Sequence, residues 1–429
     1  MYRAYKMVML VLVAVLCLSG TVQAQYYGYG YYNRDVGGVL VDANGLLSQA
    51  SKADSDKLMK ARAKALQPIE EGMEAAGQRT ISLAKLCKAI QACQAADKKV
   101  PDSIYFLGGL TGIDYVFVDA ENNDLVLVGP AEAWTVGPKG VIVGKDSGKP
   151  VLLLEDLIVA MRSAAGQRAV MSVSIDPSEE GLKASREYTS SLKRATNPKV
   201  IAKTMEEKLG DQVVTFTGVE EDSHFAAVMA AADYRMKQIS MGATKSPLKS
   251  LPSFVSMVKN AQEISGLLPR WWLAPNYDGM KRSEDGLSWS MGDSSVVTMT
   301  ETETIEGKVV ESNDAFKKWA DKMTENYEEL SKVEPIFGQL KACMDCAMVA
   351  AIAAENGVAF DTLTNGKDLT FKLNVPKAVP STAVVAKKGA GYMFTNGGVS
   401  IDSWKAIADA KVVKSVGKRA AVDGENWWK

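Results

Sequence analysis

Histidine is almost missing from this chain: His224 stands alone in 429 residues. Histidine is the commonest acid–base group at neutral pH and a frequent metal ligand. Any Ser-His-Asp or Cys-His mechanism must therefore run through His224, and zinc sites built from several histidines are excluded. Excess charge is equally scarce. Lys and Arg number 50 against 51 Asp and Glu, so the clustered basic surplus of a nucleic-acid binder is lacking. Beyond the first two dozen residues no apolar run reads as long enough to cross a bilayer, which predicts no membrane anchor after cleavage. Cofactor fingerprints and repeats of solenoid period are missing too, so neither a cofactor nor a metal is expected.

The N-terminus is informative. Arg3 and Lys6 precede an apolar stretch at 7–17 (MVMLVLVAVLC), and Val22-Gln23-Ala24 offers small residues before a cut ahead of Gln25. This pattern predicts a secretory signal peptide over 1–24 and an exported protein, periplasmic or extracellular. Cys17 follows Leu16, whereas a lipid-attachment motif wants a small residue there. Residues 25–35 form a Tyr/Gly leader read as flexible. The remaining length suggests two or three domains, and 47% hydrophobic residues suffice for real cores.

The α+β pattern that follows has several parts. Over 36–165 hairpins alternate with helices. A strand at 36–41 enters an Asn44-Gly45 turn, an amphipathic helix spans 80–96, and short strands lie between turn signals such as 121–124. Over 166–245 the order is strand, two helices, strand, helix. This order predicts an α/β unit with parallel pairing. Over 246–375 antiparallel strands precede a strongly helical stretch at 313–355, expected to divide near Pro335. The segment 376–429 is poorly defined.

The chemistry-bearing residues are few. The turn Glu220-Glu221-Asp222-Ser223-His224 follows a strand and opens a helix, and an equivalent turn carries Asp176, Glu179 and Glu180. In open α/β sheets ligands bind beyond the carboxyl ends of strands. If the two strands are neighbours, Asp176, Asp222 and His224 converge into an acidic/His site. Such a site is suited to acid–base catalysis or to a hard cation. The competing reading is helix capping by Asp222 or Ser223. No G-x-S-x-G elbow surrounds Ser223. Asp233 and Lys237 read as a surface pair and Arg235 as solvated. Trp271 and Trp272 are binding candidates, able to stack on sugars or partners if exposed; core packing is the alternative. Glu132, beside Trp134, reads as part of a rigid turn.

Cleavage leaves four cysteines: Cys87, Cys93, Cys343 and Cys346. An even number in an exported chain reads as two disulfides, here stapling helix 80–96 to the helix after 342. Pairing within each helix, a four-cysteine zinc site and redox catalysis are the alternatives.

Several stretches resemble one family in joint order. They are GGVLVDANGLL (37–47), DYVFVDAENNDLVLVGPAEAW (114–134), PVLLLEDLIVAMR (150–162), SIDPSEEG (174–181), SHFAAVMAAADYRMK (223–237), RWWLAP (270–275) and AFKKWADKMTENYEELSKVEPIFGQL (315–340). The family is exported, found mainly in planctomycete bacteria, and known only as a domain of unknown function. The resemblance runs from about 36 to about 355, and the four cysteines depart from the family's general pattern. It implies an exported bacterial protein and no particular activity. The expectation from all of this is a non-catalytic binding or structural protein of the cell envelope, with an envelope glycan or a protein as partner. The alternative is a hydrolase-like enzyme using Asp176, Asp222 and His224.

Overall fold

The computed structural model describes residues 35–166, 168–192, 197–259, 267–304, 309–310, 313–358, 369–385, 392–393, 396–422, 424 and 426–429. The signal peptide, and the leader up to residue 34, lie outside the described residues. The fold is α+β with several separate sheets.

Turn chemistry fixes the hairpins. Strands Tyr115–Asp119 and Asp124–Ala131 close on the pair Asp119–Asp124, where the Asp119 carboxylate accepts from the backbone and side-chain N–H groups of Asn122. Asp124 then ties this hairpin to the next layer. It accepts from Ser82 Oγ at 2.5 Å and from the Ala84 N–H at 2.7 Å, at the start of helix Leu83–Ala95. These strands belong to a six-stranded sheet ordered Lys411–Val413, Lys281–Ser283, Ser288–Ser290, Tyr115–Asp119, Asp124–Ala131, Ala76–Ser82.

A seven-stranded mixed sheet forms the second layer. Its order is Val309–Val310, Ser295–Thr304, Leu267–Asn276, Asn396–Ile401, Met171–Asp176, Asp211–Thr217, Ala378–Pro380. Gly397 and Gly398 let the Asn396–Ile401 strand sit tightly between its neighbours. A Cβ at either position would lie 1.8 Å from a carbonyl oxygen, Trp271 on one side or Val173 on the other. Both large sheets draw strands from sequence segments far apart, with 376–429 contributing to each.

The parallel pairing expected from the strand–helix order is corrected. Met171–Asp176 and Asp211–Thr217 are antiparallel, with Asp176 opposite Val213 and Ser172 opposite Thr217. The connection explains it. Helices Glu179–Ser191 and Pro198–Leu209 pack on each other as a hairpin. One crossover helix returns the chain to the end where the first strand began. Two antiparallel helices return it to the end it has just left.

Helix Pro335–Glu355 lies at the centre, packed by helices Leu154–Gly166, His224–Ser240, Tyr327–Val333 and Ser403–Asp409. Contrary to the sequence reading, this helix is long and apolar enough by composition to cross a membrane. It is apolar all round because it is covered all round: 83% of its apolar window is buried in the protein. The helical stretch from 313 divides into three rather than two, Asp314–Glu325, Tyr327–Val333 and Pro335–Glu355.

The disulfide expectation is also corrected: Cys87, Cys93, Cys343 and Cys346 are free thiols. Helix Leu83–Ala95 is held by the outer sheet through Asp124, whereas Cys343 and Cys346 are buried on the central helix, where burial and Asp156 push both thiols well above their ordinary range. Asp233 and Lys237 do pair, at 2.9 Å, but in the interior, where burial raises the Asp233 carboxyl to about 6 against the pull of Lys237. Arg235 is buried as well, ion-paired to Glu334 at 2.7 Å.

Candidate functional site

Antiparallel pairing separates the three acid–base candidates. Asp176 sits opposite Val213, while Asp222 comes after the far end of that strand. Four residues from Val213 to Thr217, at about 3.3 Å each, put on the order of 13 Å between the two ends before the turn begins. Asp222 pairs with Lys372 at 3.0 Å, and Ser223 caps its helix by accepting from the Ala226 N–H at 3.1 Å. Glu179 and Glu180 are exposed in the first turn of a helix capped by Ser178. The capping reading therefore accounts for most of both turns.

His224 points elsewhere, into the interior between three helices. Ser223 starts helix His224–Ser240, so the imidazole faces the first turn of helix Leu154–Gly166, where Asp156 holds Nδ1 at 2.9 and 3.1 Å. The other nitrogen, Nε2, faces the Gln339 amide at 3.4 Å. Burial alone would push the imidazole down. The charge and hydrogen bond of Asp156, with the charge of Glu155, outweigh it and hold His224 above its ordinary range. The Cys343 thiol donates to the same Asp156.

Glu155, Asp156, His224 and Gln339 line a small cavity together with Arg62, Tyr105, Phe106 and Phe371. About 50 Å³ of it is reachable by the centre of a water, room for a few water-sized molecules and no more. Glu155 stands at its half-buried rim, where burial pushes the carboxyl up to about 7 against the pull of His224. A carboxyl raised on folding stabilises the protein at acid pH, and that contribution fades as pH rises from about 4.5 towards about 7. Glu155→Gln removes the penalty of ionising here. It should raise stability by about 1–2 kcal/mol near pH 8, discounted for partial exposure, and change nothing at pH about 4. Urea midpoints at the two pH values check this; equal shifts at both would count against it.

The tryptophan pair splits between core and surface. Trp271 is in the core, its Nε1 donating to the Phe316 carbonyl at 3.2 Å, with Trp319 and Phe254 rings at 4.4 and 5.2 Å. Stacking on a ligand is closed to it. Trp272 lies on the opposite, outer face of the seven-stranded sheet, half-buried beside exposed Met299 on the next strand. Ser174 and Thr215 share its row and Ser172 and Thr217 the adjacent one, both threonines exposed. Helices Glu179–Ser191 and Pro198–Leu209 close one end of this face through Leu182, Leu209 and Leu268. At the other end a cleft of about 540 Å³ is lined by Trp272, Asn276, Ser400, Asp402 and Lys405. Tyr277 is buried, donating to Asp345 at 3.1 Å, and Trp289 is buried with its Nε1 on the Gly286 carbonyl. Glu132 braces a turn, accepting from the N–H groups of Asp146 and Ser147 at 2.5 and 3.0 Å.

Sequence reasoning picked out His224 and missed its partners. Glu155 and Asp156 lie 68 or more residues away, and Gln339 lies on a third helix. The acidic pair at a helix start reads from sequence as ordinary dipole compensation. The one available signal was that Asp156 falls on the apolar side of its helix, three and four residues before Val159 and Ala160. Among the described residues no group of three or more His, Cys, Asp or Glu side chains is placed to hold a metal ion.

Residues 173–254 match the model of a family described as a protein of unknown function, DUF1598. The match supports a domain of unknown function and covers most of the strand Met171–Asp176, the helical hairpin, the strand Asp211–Thr217 and the His224 helix. No curated protein and no solved structure matches the chain.

Proposed function

We propose that this protein is exported to the bacterial cell envelope, in the manner of the planctomycete-type family it resembles. There it would bind glycan, without catalysis, on the outer face of the seven-stranded sheet. The observation that carries this reading is Trp272, half-buried on that face with rows of serine and threonine hydroxyls beside it. An indole face stacks on the apolar face of a sugar ring, and hydroxyls and carboxylates at its margin exchange hydrogen bonds with ring substituents. The cleft next to Trp272, at about 540 Å³, is of the size that receives a small ligand or one or two sugar units. The N-terminal pattern of basic residues, apolar run and small residues supports export.

Trp272→Ala should weaken retention on immobilised envelope polysaccharide at least tenfold, roughly 1.4 kcal/mol, with the thermal midpoint little changed. Trp271→Ala tests nothing here, since it opens the core. Undiminished retention by a folded Trp272→Ala protein would sink the reading.

A second reading, a hydrolase-like enzyme, draws on the Asp156–His224 pair, because a carboxylate on Nδ1 leaves Nε2 as a base. Its weakness is the partner of that base: among the described residues Nε2 faces Gln339 rather than a hydroxyl or thiol. His224→Ala separates the two. It abolishes any hydrolytic turnover in the second reading and leaves polysaccharide retention intact in the first.

A further inference from the structure

The cavity under Glu155 and His224 lies on the other side of the sheet from Trp272 and plays no part in the glycan reading. We propose that it is a binding site for a small ammonium-type cation, ammonium itself or a short primary alkylammonium such as methylammonium.

Four observations converge on that class. The first is an acceptor without a donor: Gln339 is only 8% exposed, lines the cavity, and its Oε1 has no hydrogen-bond partner. Turning the amide over would satisfy Oε1 only by orphaning the NH2 group, so one end stays open in either orientation. The second is Glu155, a half-buried carboxylate at the cavity rim whose Oε2 accepts a long bond, 3.4 Å, from the Phe371 N–H. The third is charge. Helix Leu154–Gly166 brings two carboxylates, Glu155 and Asp156, and Arg62 brings one guanidinium, whose Nη1 donates to the Gly140 carbonyl. Among the described residues the other titratable groups at or against this lining are His224, Tyr105 and the thiols of Cys343 and Cys346, both pushed well above their ordinary range by burial and Asp156. With His224 neutral and both carboxyls ionised, the described lining carries two negative charges against the one guanidinium. The fourth is the wall: Tyr105, Phe106 and Phe371 give aromatic surfaces, the Tyr105 and Phe371 centroids 6.4 Å apart, which favour a cation over a neutral guest. The 50 Å³ of reachable space limits the guest to a few heavy atoms.

Two self-consistent states follow. In one, neutral His224 donates Nδ1–H to Asp156 and accepts the Gln339 NH2 on Nε2, which leaves Gln339 Oε1 and the Glu155 carboxylate to accept from the ammonium. In the other, a proton on His224 supplies the missing positive charge, Nε2–H turns to Gln339 Oε1, and the cation is excluded. Proton and ammonium thus compete for one cavity, by linkage.

His224 is the chain's single histidine, so its imidazole Hε1 resonance reads this cavity alone. The test is its titration by proton NMR in methylammonium chloride against tetramethylammonium chloride, at equal ionic strength. Tetramethylammonium carries the same charge but no N–H donor. The apparent pKa of His224 should fall by about one unit in methylammonium relative to the control. Identical titrations in the two salts would overturn the proposal. In Glu155→Gln, which keeps the side-chain shape, the difference should vanish; a difference that persists at full size would overturn the assignment to this cavity.

Discussion

Glu334→Ala should unfold about 3–5 kcal/mol more readily than the parent protein. Glu334 is 6% exposed and sits at the start of the central helix, where a carboxylate also favours the positive end of the helix dipole. Its Oε1 accepts from Arg235 Nη2 at 2.7 Å, and its Oε2 pairs with Lys139. Arg235 is itself only 5% exposed and its Nε already lacks a partner. Truncating Glu334 strands that guanidinium in the interior without a counter-charge, which costs more than the pair's own net worth. Burial alone would raise the Glu334 carboxyl, but the hydrogen bonds and charges of Arg235 and Lys139 hold it below its usual range. A lowered folded pKa means that this contribution is present above about pH 4.5 and is lost as pH falls through the folded value. Urea denaturation near neutral pH and again in acid checks both parts: a large loss in the first and a shrinking one in the second. A parent-like midpoint at neutral pH would refute the assignment of Arg235 to this partner.

Asp156→Ala carries a comparable expected loss, about 3–5 kcal/mol below neutral pH. Asp156 is 3% exposed and receives both His224 Nδ1 and the Cys343 thiol. Removing it leaves two buried donors with nothing to accept them. Asp156→Asn keeps an acceptor oxygen for Nδ1–H and drops only the charge, so it should lose less. Because burial is the largest influence on His224 and pushes it down, the imidazole pKa in Asp156→Asn should drop below about 6.5. The pH dependence has a definite sign. A raised histidine pKa stabilises the folded state fully below about 6.5, and that stability is lost as pH rises through the folded value. The gap between parent and Asp156→Asn should therefore narrow in alkaline solution. A gap that stays constant with pH would mean that the charge on Asp156 does not act through His224.

Much of the secondary structure was legible residue by residue, because local chemistry decides it. Asn44-Gly45 in the turn before Leu47, Ser223 at one helix start and Pro335 at another all act within a few residues of themselves, whereas the helix expected over 80–96 begins only at Leu83, because residues 80–82 end the strand Ala76–Ser82. The alternation that sends Trp271 and Trp272 to opposite faces is likewise local. Which of the two faces the core was not legible, since both are tryptophan. The interior location of Asp233, Lys237 and Arg235 was hidden for a similar reason. Charged residues at helical spacing look the same on a solvated face as on a buried one, and the partners that permit burial are remote. For Arg235 that partner is Glu334, and Lys237 donates to the Ile175 carbonyl at 2.7 Å.

The sequence by itself determined the α+β class, the caps and turns, and the limit that one histidine places on chemistry. All of these depend on composition or on neighbours a few bonds away. Tertiary structure alone decided the rest. Two helices in place of one between strands reverse the second strand, and that single fact carries Asp176 and Asp222 to opposite ends of the sheet. Packing around the central helix turned a membrane-length apolar run into a core. It also brought Glu155 and Asp156, His224 and Gln339, spread over nearly two hundred residues, to the wall of one small cavity, where their charges act on each other through a low-dielectric interior rather than through water.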